Sequence, residues 1–401
     1  MTEGKILRVL IHMGDPYLID NPCTKRMRAF KEALKQQGHE VVTMAPDVKN
    51  ITKDPEVMYC PTIPLRKKNV FYRLANSAGF TVSSMYKSRQ TGKIDVVITT
   101  VPPALIGPAG WFIAKIKRAR LVYDVRDIWP DVALEMNEFT KSSIYYKIFR
   151  FIRDFMLKHA DLITAVSDGK VSKLKEYVPH KKVIKISNGF DVHFLQNQMN
   201  FDLYNKITEQ NRFVCVYTGN LGLAQGLRQL LYIADKARAN RLNVIFWLYG
   251  KGAEEQELKK YVREHQLDNV FFGGKLSNQD IYTVLKAANI SFVPLVNENL
   301  KDSIPTKIYE ALGVGCPVLL AAEGDAVSIL EDTGLGIAVR PNQMDELWNA
   351  FLYLYDNLYR KCDKEVMEQM KKCTTELVQN QYSIQSSAQI LVKELERMCT
   401  D

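Results

Sequence analysis

Short apolar runs alternate with longer amphipathic stretches along most of the chain. In the first half, the apolar runs have the length of buried strands, and the stretches between them repeat apolar residues at helical spacing. Strands that alternate with helices in this way predict a parallel, doubly wound sheet with helices on both faces. The predicted strands of this half are 6–13, 39–46, 95–101, 120–125, 161–167 and 183–189.

The second half repeats the pattern, whereas the stretch 190–211 contains no strand core and is the best linker candidate. We therefore predict an α/β protein of two Rossmann-like domains, 1–200 and 201–379, with a final helix at about 380–401 that packs back onto the first domain. Both sheets are expected to place their carboxyl ends at a common central cleft, where open α/β sheets bind ligands. The predicted strands of the second half are 213–219, 243–250, 269–274, 290–295, 317–322 and 336–340.

The longest apolar run, 95–116, contains five proline and glycine residues between 102 and 110, which excludes a membrane-spanning helix. The N-terminus shows no export signal. Seven cysteines without a CxxC pair indicate reduced thiols in a cytosolic protein.

Charge is unevenly distributed, although the net charge of the whole chain is +9. Residues 1–200 contain 32 Lys and Arg against 19 Asp and Glu, whereas residues 201–401 contain 22 against 26. This asymmetry indicates that the first half meets something anionic, with a merely solvated basic face as the alternative. A nucleic-acid-binding protein is disfavoured, because no RNA- or DNA-binding motif accompanies the charge.

The basic segment 64–93 suits an anionic membrane surface, or else forms a core-facing helix with a solvated basic face. Its interleaved apolar residues are Phe71, Tyr72, Leu74, Phe80, Met85 and Tyr86.

Two glycine-rich turns follow predicted strands of the second half. In the first, "YTGNLGLAQG", the glycines at 219, 222 and 226 would let backbone N–H groups approach a phosphate. The alternative is a tight turn without a ligand. The second turn, "LYGKG" at 248–252, is a weaker signal of the same kind.

A third candidate site begins at Asp302, in "DSIPTKIYEALGVGCPVLLAA". Pro305 predicts a helix that starts near Thr306, with Thr306 or Ser303 as its cap. Three residues separate Lys307 from Glu310, so both would lie on one helix face, as a surface ion pair would also require. Because the helix lies between two predicted strands, its N-terminus should point into the cleft. There a carboxylate can accept hydrogen bonds from ribose hydroxyls while a lysine neutralises phosphate.

Taken in order, "TGNLGLAQGL", "LYGKG", "NVFFGGKLSNQDIYTVLKAANISFVPL" and "PTKIYEALGVGCPVL" resemble the C-terminal half of family-4 retaining glycosyltransferases of the GT-B fold. The segments "YDVRDIWPDVAL" and "SNGFDVHFL" resemble the branch that builds bacterial surface polysaccharides (O-antigen or capsule), such as fucosaminyl- and N-acetylhexosaminyl-transferases. The resemblance implies a cytoplasmic enzyme, peripheral at the inner face of the plasma membrane. Its donor would be a UDP-linked nucleotide sugar and its acceptor a saccharide on a polyprenyl diphosphate lipid, with no metal cofactor.

The resemblance also implies residue roles. The family's paired acids fall on Asp302 and Glu310, the first usually being Glu, and Glu310 would bind the ribose. Many members carry Arg and Lys where this chain has Asn220 and Gln225, so phosphate neutralisation passes to Lys307, Lys251 and helix N-termini. The implied donor-binding residues are Gly219, Asn220, Gln225, Gly250, Lys251, Ser303, Ile304, Pro305, Thr306, Lys307 and Glu310.

In the first half, Arg126 and Asp127 follow the strand "RLVYDV" and are, with Asp302, the catalytic candidates. A structural role, with Asp127 capping a helix and Arg126 in an ion pair, is the alternative. The loop 13–22, with Gly14 and Asp15, should approach the donor or acceptor, and His12 is more typical of a core histidine.

Two other enzyme classes share part of this pattern. A nucleotide-sugar 2-epimerase would share the two-domain architecture. A dinucleotide oxidoreductase is disfavoured, because the first strand leads into "HMGDPYL" and not into G-x-G-x-x-G. No HExxH motif or Cys/His cluster indicates a metal site.

Overall fold

The computed structural model describes residues 5–48, 53–64, 70–135, 140–209 and 211–400. They form two units, one within Met1–Asn188 and Ile384–Asp401 and the other within Gly189–Ser383. The division lies earlier than the predicted boundary at residue 200. The reason is that the Phe190 N–H donates to the Tyr382 carbonyl (2.7 Å) and the Phe190 ring packs on Gly313, both within the second unit.

The first unit contains a seven-stranded sheet with the strand order β3-β2-β1-β4-β5-β6-β7, in which every pair is parallel. Its strands are β1 (Arg8–His12), β2 (Glu40–Pro46), β3 (Val57–Cys60), β4 (Val96–Val101), β5 (Arg120–Val125), β6 (Leu162–Ala165) and β7 (Val183–Lys185). Its helices are α1 (Pro22–Gln36), α2 (Val70–Lys87), α3 (Ile106–Lys117), α4 (Asp131–Glu135), α5 (Ile144–His159), α6 (Asp168–Tyr177) and α15 (Ile384–Thr400).

Helices cover both faces of this sheet, as doubly wound folds require. One core joins α1 and α15 to the sheet, with Met27 and Phe30 packing near Leu391 and Leu395. The other core lies under α2, α3 and α5. The helix predicted for the end of the chain is therefore α15, and it packs on α1.

The second unit contains a parallel six-stranded sheet with the order β10-β9-β8-β11-β12-β13. Its strands are β8 (Phe213–Thr218), β9 (Val244–Tyr249), β10 (Val270–Gly274), β11 (Ile290–Pro294), β12 (Val318–Ala321) and β13 (Gly336–Val339). Its helices are α7 (Phe201–Thr208), α8 (Arg228–Ala239), α9 (Glu255–Glu264), α10 (Asn278–Ala287), α11 (Thr306–Gly313), α12 (Asp325–Thr333), α13 (Met344–Tyr355) and α14 (Lys364–Gln381).

The central strands β8, β11 and β12 are buried along their whole length, which explains their continuous apolar sequences. Two Rossmann-like parallel sheets were predicted, and two are found. Among the described helices, none combines the length and the apolar character that a membrane crossing requires.

Candidate functional site

Two glycine turns pack against each other where β8 and β9 end. These strands are neighbours in the sheet, and the Gly219 N–H donates to the Tyr249 carbonyl (2.9 Å) while the Leu221 N–H donates to the Lys251 carbonyl (3.1 Å). Gly250 has φ +147, and a Cβ there would collide with the Gly219 carbonyl oxygen. Glycine at 250 is thus required for the turns to stack.

Lys307 lies against the first of these turns. A Cβ on Gly219 (φ +142) would collide with the Lys307 Cε, so the lysine stem fills the space that the glycine leaves. The Lys307 ammonium donates to Gln225 Oε1 (2.6 Å) and lies 5.3 Å from the centroid of the Tyr217 ring. The Tyr217 hydroxyl is itself 2.6 Å from the Asn220 carbonyl oxygen and 3.2 Å from Gln225 Oε1. Neutral groups therefore hold this cation at the turn.

Burial lowers the pKa of Lys307 to about 8, and the negative charge of Glu310, one helical turn further on, acts in the opposite direction. The ammonium form still predominates at neutral pH. An anion placed beside it would compensate the lost solvation and stabilise the charged form.

Lys307 projects from the first turn of α11, which begins at Thr306 as predicted. The predicted cap, Thr306 or Ser303, is wrong: Pro305 is the N-cap residue, and no side chain caps the helix. The Ser303 N–H instead closes a turn onto the Leu300 carbonyl (2.9 Å). An uncapped helix N-terminus beside a lysine favours a negatively charged ligand.

The structure therefore brings Gly219, Gln225, Gly250 and Lys307 together. Asn220 contributes its carbonyl, and the exposed Lys251 contributes its backbone to the turn packing. The half-buried residues Asp302 and Ile304 precede α11, and the half-buried Glu310 lies in its second turn. Sequence reasoning missed Tyr217, although its position near the end of a buried strand, two residues before Gly219, is a usable signal.

In the first unit, Arg126 and Asp127 follow β5 as predicted, and both have partners. Arg126 donates from Nε to Thr100 Oγ1 (3.1 Å), from an Nη to Asp15 Oδ2 (3.3 Å), and to the Pro102 carbonyl. The Asp127 carboxylate forms an ion pair with Lys170 (3.2 Å). Two predicted residues, Asp15 and Arg126, are thus in direct contact.

Gly14 was predicted to give a ligand close access. Its free side is instead filled by protein, because a Cβ there would lie 2.7 Å from Pro103 Cδ and 2.9 Å from Ile106 Cδ1. The glycine lets the 13–22 loop pack on the start of α3.

A buried ion pair, which sequence reasoning missed, lies beneath Arg126. The side chains of Arg26 and Asp124 are both fully buried and meet at 2.7 Å. Thr100 and Thr164 donate to Asp124 (2.7 and 2.6 Å), and Arg26 also donates to the Ile186 carbonyl (2.6 Å). Burial alone would raise the pKa of Asp124, but Arg26 and the two hydroxyls hold it below its ordinary value. A charged residue inside the apolar strand "RLVYDV" was the available signal.

His12 is a core residue. Its ring nitrogens lie 3.1 Å from Thr99 Oγ1 and 3.0 Å from Ser84 Oγ, and the ring stacks on Phe80 (5.1 Å between centroids). Burial lowers its pKa to about 4, so it is neutral at pH 7. In the described parts of the chain, no group of three or more His, Cys, Asp or Glu side chains could hold a metal ion.

Two family models match the sequence, and together they extend over most of it. The model described as glycosyl transferases group 1 matches residues 200–372. The model described as glycosyltransferase family 4 matches residues 24–194.

One relative and two solved structures show how far the similarity reaches. An Escherichia coli (strain K12) protein, provisionally named colanic acid biosynthesis glycosyl transferase WcaI, is 25% identical over 304 residues, which are 73% of this chain and 74% of that protein. Sucrose-phosphate synthase from Thermosynechococcus elongatus superposes with a TM-score of 0.78 at 18% identity, covering 98% of this chain and 99% of that one. Anabaena HepE in complex with UDP-glucose superposes with a TM-score of 0.68 at 16% identity, covering 98% and 100%. At these identities the two structures show the fold alone.

Proposed function

The chain belongs to the family-4 glycosyltransferases of the GT-B fold, and from this premise we propose that it transfers a sugar from a nucleotide diphosphate to a lipid-linked saccharide during the assembly of a bacterial surface polysaccharide. The observation that carries the donor half of this proposal is the Lys307 ammonium, held by Gln225 and Tyr217 against the Gly219 turn.

In the proposed donor complex, the diphosphate lies between Lys307, the uncapped N-terminus of α11 and the backbone N–H groups near Gly219 and Asn220. These groups stabilise the negative charge that develops on the leaving phosphate, without needing to reorganise during the reaction. Glu310 accepts hydrogen bonds from the ribose hydroxyls. The segment from Asp302 to Thr306 contacts the donor sugar.

We further propose UDP as the nucleotide and retention of configuration as the stereochemical outcome. The similarity to HepE, which was solved with UDP-glucose, supports the choice of nucleotide. In a retaining reaction of this type the departing phosphate oxygen can itself take the acceptor proton, so we assign no general base. No comparison supports the 2-epimerase alternative.

For the acceptor, we propose a saccharide carried on a polyprenyl diphosphate at the inner face of the plasma membrane, with the enzyme cytoplasmic and peripheral. The basic first half supports an anionic partner, and the similarity to a protein named for colanic acid biosynthesis supports polysaccharide assembly. Arg126 and Asp127 would line the acceptor side.

Calorimetry with UDP tests the donor site. We expect Lys307→Ala to weaken UDP binding by about 10- to 100-fold, since it removes a charge-assisted contact, and Glu310→Ala to weaken it by a similar factor. The control is Lys260→Ala, which removes an equal charge from the exposed face of α9. Unchanged UDP affinity in both site variants would refute the assignment.

A thermal-shift screen over nucleotide sugars identifies the donor, because a ligand present far above its Kd raises the free energy of unfolding by kilocalories. NMR of the product's anomeric centre then tests retention. Proton exchange at the sugar C2 in deuterated water without acceptor would instead indicate an epimerase.

A further inference from the structure

The outer sides of α3 and α5 expose large apolar side chains. On α5 the exposed fractions are 68% for Ile144, 50% for Ile148 and 71% for Phe151, at the spacing i, i+4, i+7 that lines one side of a helix. On α3, Phe112 and Ile116 are exposed by 37% and 47%. We call these five residues the α3–α5 face.

The two helices form one continuous surface. Trp111 of α3 packs edge-on against Phe155 of α5, with ring centroids 4.9 Å apart. Gly107 of α3 lies directly over Met156, where a Cβ would come within 3.2 Å of its Cγ. Close packing of this kind presents the exposed residues of α3 and α5 side by side.

Cations surround the α3–α5 face. Lys115, Lys147 and Lys158 are exposed, and within the described residues none of them forms an ion pair with a carboxylate. Asp154 is the one acidic residue in the α3 and α5 sequences, and it is neutralised by Arg150 (3.6 Å) and Arg153 (2.8 Å).

A groove of about 490 Å³ extends the basic surface at the end of α5. Lys158 borders it, together with Tyr177, His180 and Lys181. Two lysines thus line a recess large enough for a phosphate headgroup, and the Asp154 carboxylate borders it as well.

Helices on the opposite face of the same sheet differ. Among the large apolar side chains of α1 and α15, Ile390 is the one that is exposed in the described structure (51%). Most cations there pair with carboxylates, for example Lys31 and Lys35 with Glu56 (2.7 and 2.8 Å) and Arg397 with Glu394 (2.8 Å), whereas the exposed Lys393 forms no ion pair within the described residues. Exposed apolar residues are ordinary when scattered, but a cluster with unpaired cations on one of two faces indicates an interaction site.

We infer that the α3–α5 face docks on an anionic lipid bilayer. Its apolar side chains would enter the boundary between headgroups and acyl chains, while the surrounding lysines meet lipid phosphates. Charge complementarity selects this occupant, because three lysines that form no ion pair among the described residues surround the five apolar residues of the face, and a lipid surface is both negative and apolar within a few ångströms. The inference rests on the proposed membrane location and identifies the surface responsible.

This surface differs from the segment predicted from sequence. In the 64–93 segment, Phe80 of α2 is fully buried against His12, so that apolar position belongs to the core. The basic residues at 66–68 lie outside the described residues.

Vesicle co-sedimentation of the full chain tests the inference. The wild type is expected to bind vesicles of phosphatidylcholine with about 30% phosphatidylglycerol, and to bind less as salt increases. Ile148→Ser combined with Phe151→Ser should weaken binding by at least about tenfold, because two deeply inserted apolar groups are lost. Lys147→Gln combined with Lys158→Gln should weaken it by a similar factor, at roughly fivefold for each cation.

The matched control is Ile390→Ser, an equally exposed isoleucine on α15, which should leave vesicle binding unchanged. Because all these side chains are exposed, thermal melting should show that every variant folds, and UDP binding by calorimetry should be unaltered.

The outcomes separate the proposals. If the wild type binds anionic vesicles and the Ile148/Phe151 variant binds equally well, the α3–α5 face is refuted while the membrane location stands. If the wild type binds no vesicles but light scattering shows a dimer that the variant loses, the face contacts a second copy and the inference is overturned. UDP binding stays informative about the donor site in every case.

Discussion

Charged side chains lie beside the ends of β5 and β8, and their immediate partners differ. After β5 in the first unit, Arg126 meets Asp15, and Asp127 meets Lys170. After β8 in the second unit, Lys307 is held by an amide oxygen and an aromatic ring, and neither carries a charge. The sequence predicted functional residues at both places. The difference shows that local charge balance, more than the presence of charged residues, marks where a ligand of opposite sign belongs.

After β5, where each charged side chain has an oppositely charged partner, the ion pairs position Arg126. Thr100 bridges the two layers, since it donates to Asp124 and accepts from Arg126. Arg126 is therefore positioned by a network whose lower half is a buried ion pair. Its assignment to the acceptor side, like that of Asp127, stays a prediction.

The largest expected effect is a loss of stability when the buried ion pair between Arg26 and Asp124 is broken. Arg26→Met should lower the free energy of unfolding by about 3–5 kcal/mol, because it leaves the Asp124 carboxylate buried without its countercharge. Urea denaturation followed by circular dichroism measures this loss.

The control for this experiment is the double variant Arg26→Met with Asp124→Leu, which removes both charges and should recover much of the lost stability. A loss below about 1 kcal/mol in the single variant would show that the pair is not the anchor of this strand end.

The next effect concerns Lys307, beside the end of β8, where no carboxylate is hydrogen-bonded or ion-paired to the ammonium among the described residues. Burial lowers the pKa of Lys307 to about 8. In the protein without UDP, the Lys307 side chain therefore loses its proton and its charge as the pH rises through 8. UDP affinity should then fall by about 30-fold between pH 7 and pH 9.5, while the phosphates themselves stay ionised because their last pKa is near 6. Calorimetry across this range measures the decline.

In this pH series, Lys307→Met serves as the control, because it lacks this ammonium and should bind UDP weakly, with a much smaller alkaline decline that reports ionisation of the uracil N3–H and of other groups. A wild-type affinity that is constant from pH 7 to pH 9.5 would show that the ammonium does not contact the nucleotide.

The smallest expected effect tests whether UDP binding requires an uncharged side chain at position 225, where Gln225 accepts from Lys307. Gln225→Glu places a carboxylate about where the amide oxygen now meets Lys307, so it should raise the pKa of the lysine and compete with the diphosphate. We expect UDP affinity at pH 7 to fall by about three- to tenfold and its alkaline decline to move to higher pH. Gln225→Met, which removes the hydrogen bond without adding charge, should weaken UDP binding less. If Gln225→Glu bound UDP as tightly as the wild type or more tightly, the uncharged partner of Lys307 would not matter for binding.

Much of the fold could be predicted from the sequence, because strands that are buried on both faces, such as β8, are apolar throughout. The helices that alternate with these strands along the chain then indicate a parallel sheet. The start of α11 was predicted correctly because Pro305 restricts the backbone just before the helix. The strand β3 was missed, since four residues, "VMYC", carry too little periodicity to be recognised.

The site was harder to predict because its decisive features join distant residues. Gln225 and Lys307 are 82 positions apart, and Arg26 and Asp124 are 98 apart. Sequence spacing places Lys307 near a helix start, but only the fold shows that its ammonium meets the neutral groups Gln225 and Tyr217. The stacked turns at Gly219 and Gly250 likewise depend on β8 and β9 being adjacent.

The return of α15 to the first unit has a consequence for how the protein is made. The entire second unit, Gly189–Ser383, is synthesised before α15 can reach α1. At ribosomal rates this interval lasts about 10–40 s, during which the apolar side of α1, with Met27, Phe30 and Leu34, lacks its final partner. The core of the first unit is thus complete only when translation is almost finished, and the timing of synthesis becomes part of its folding.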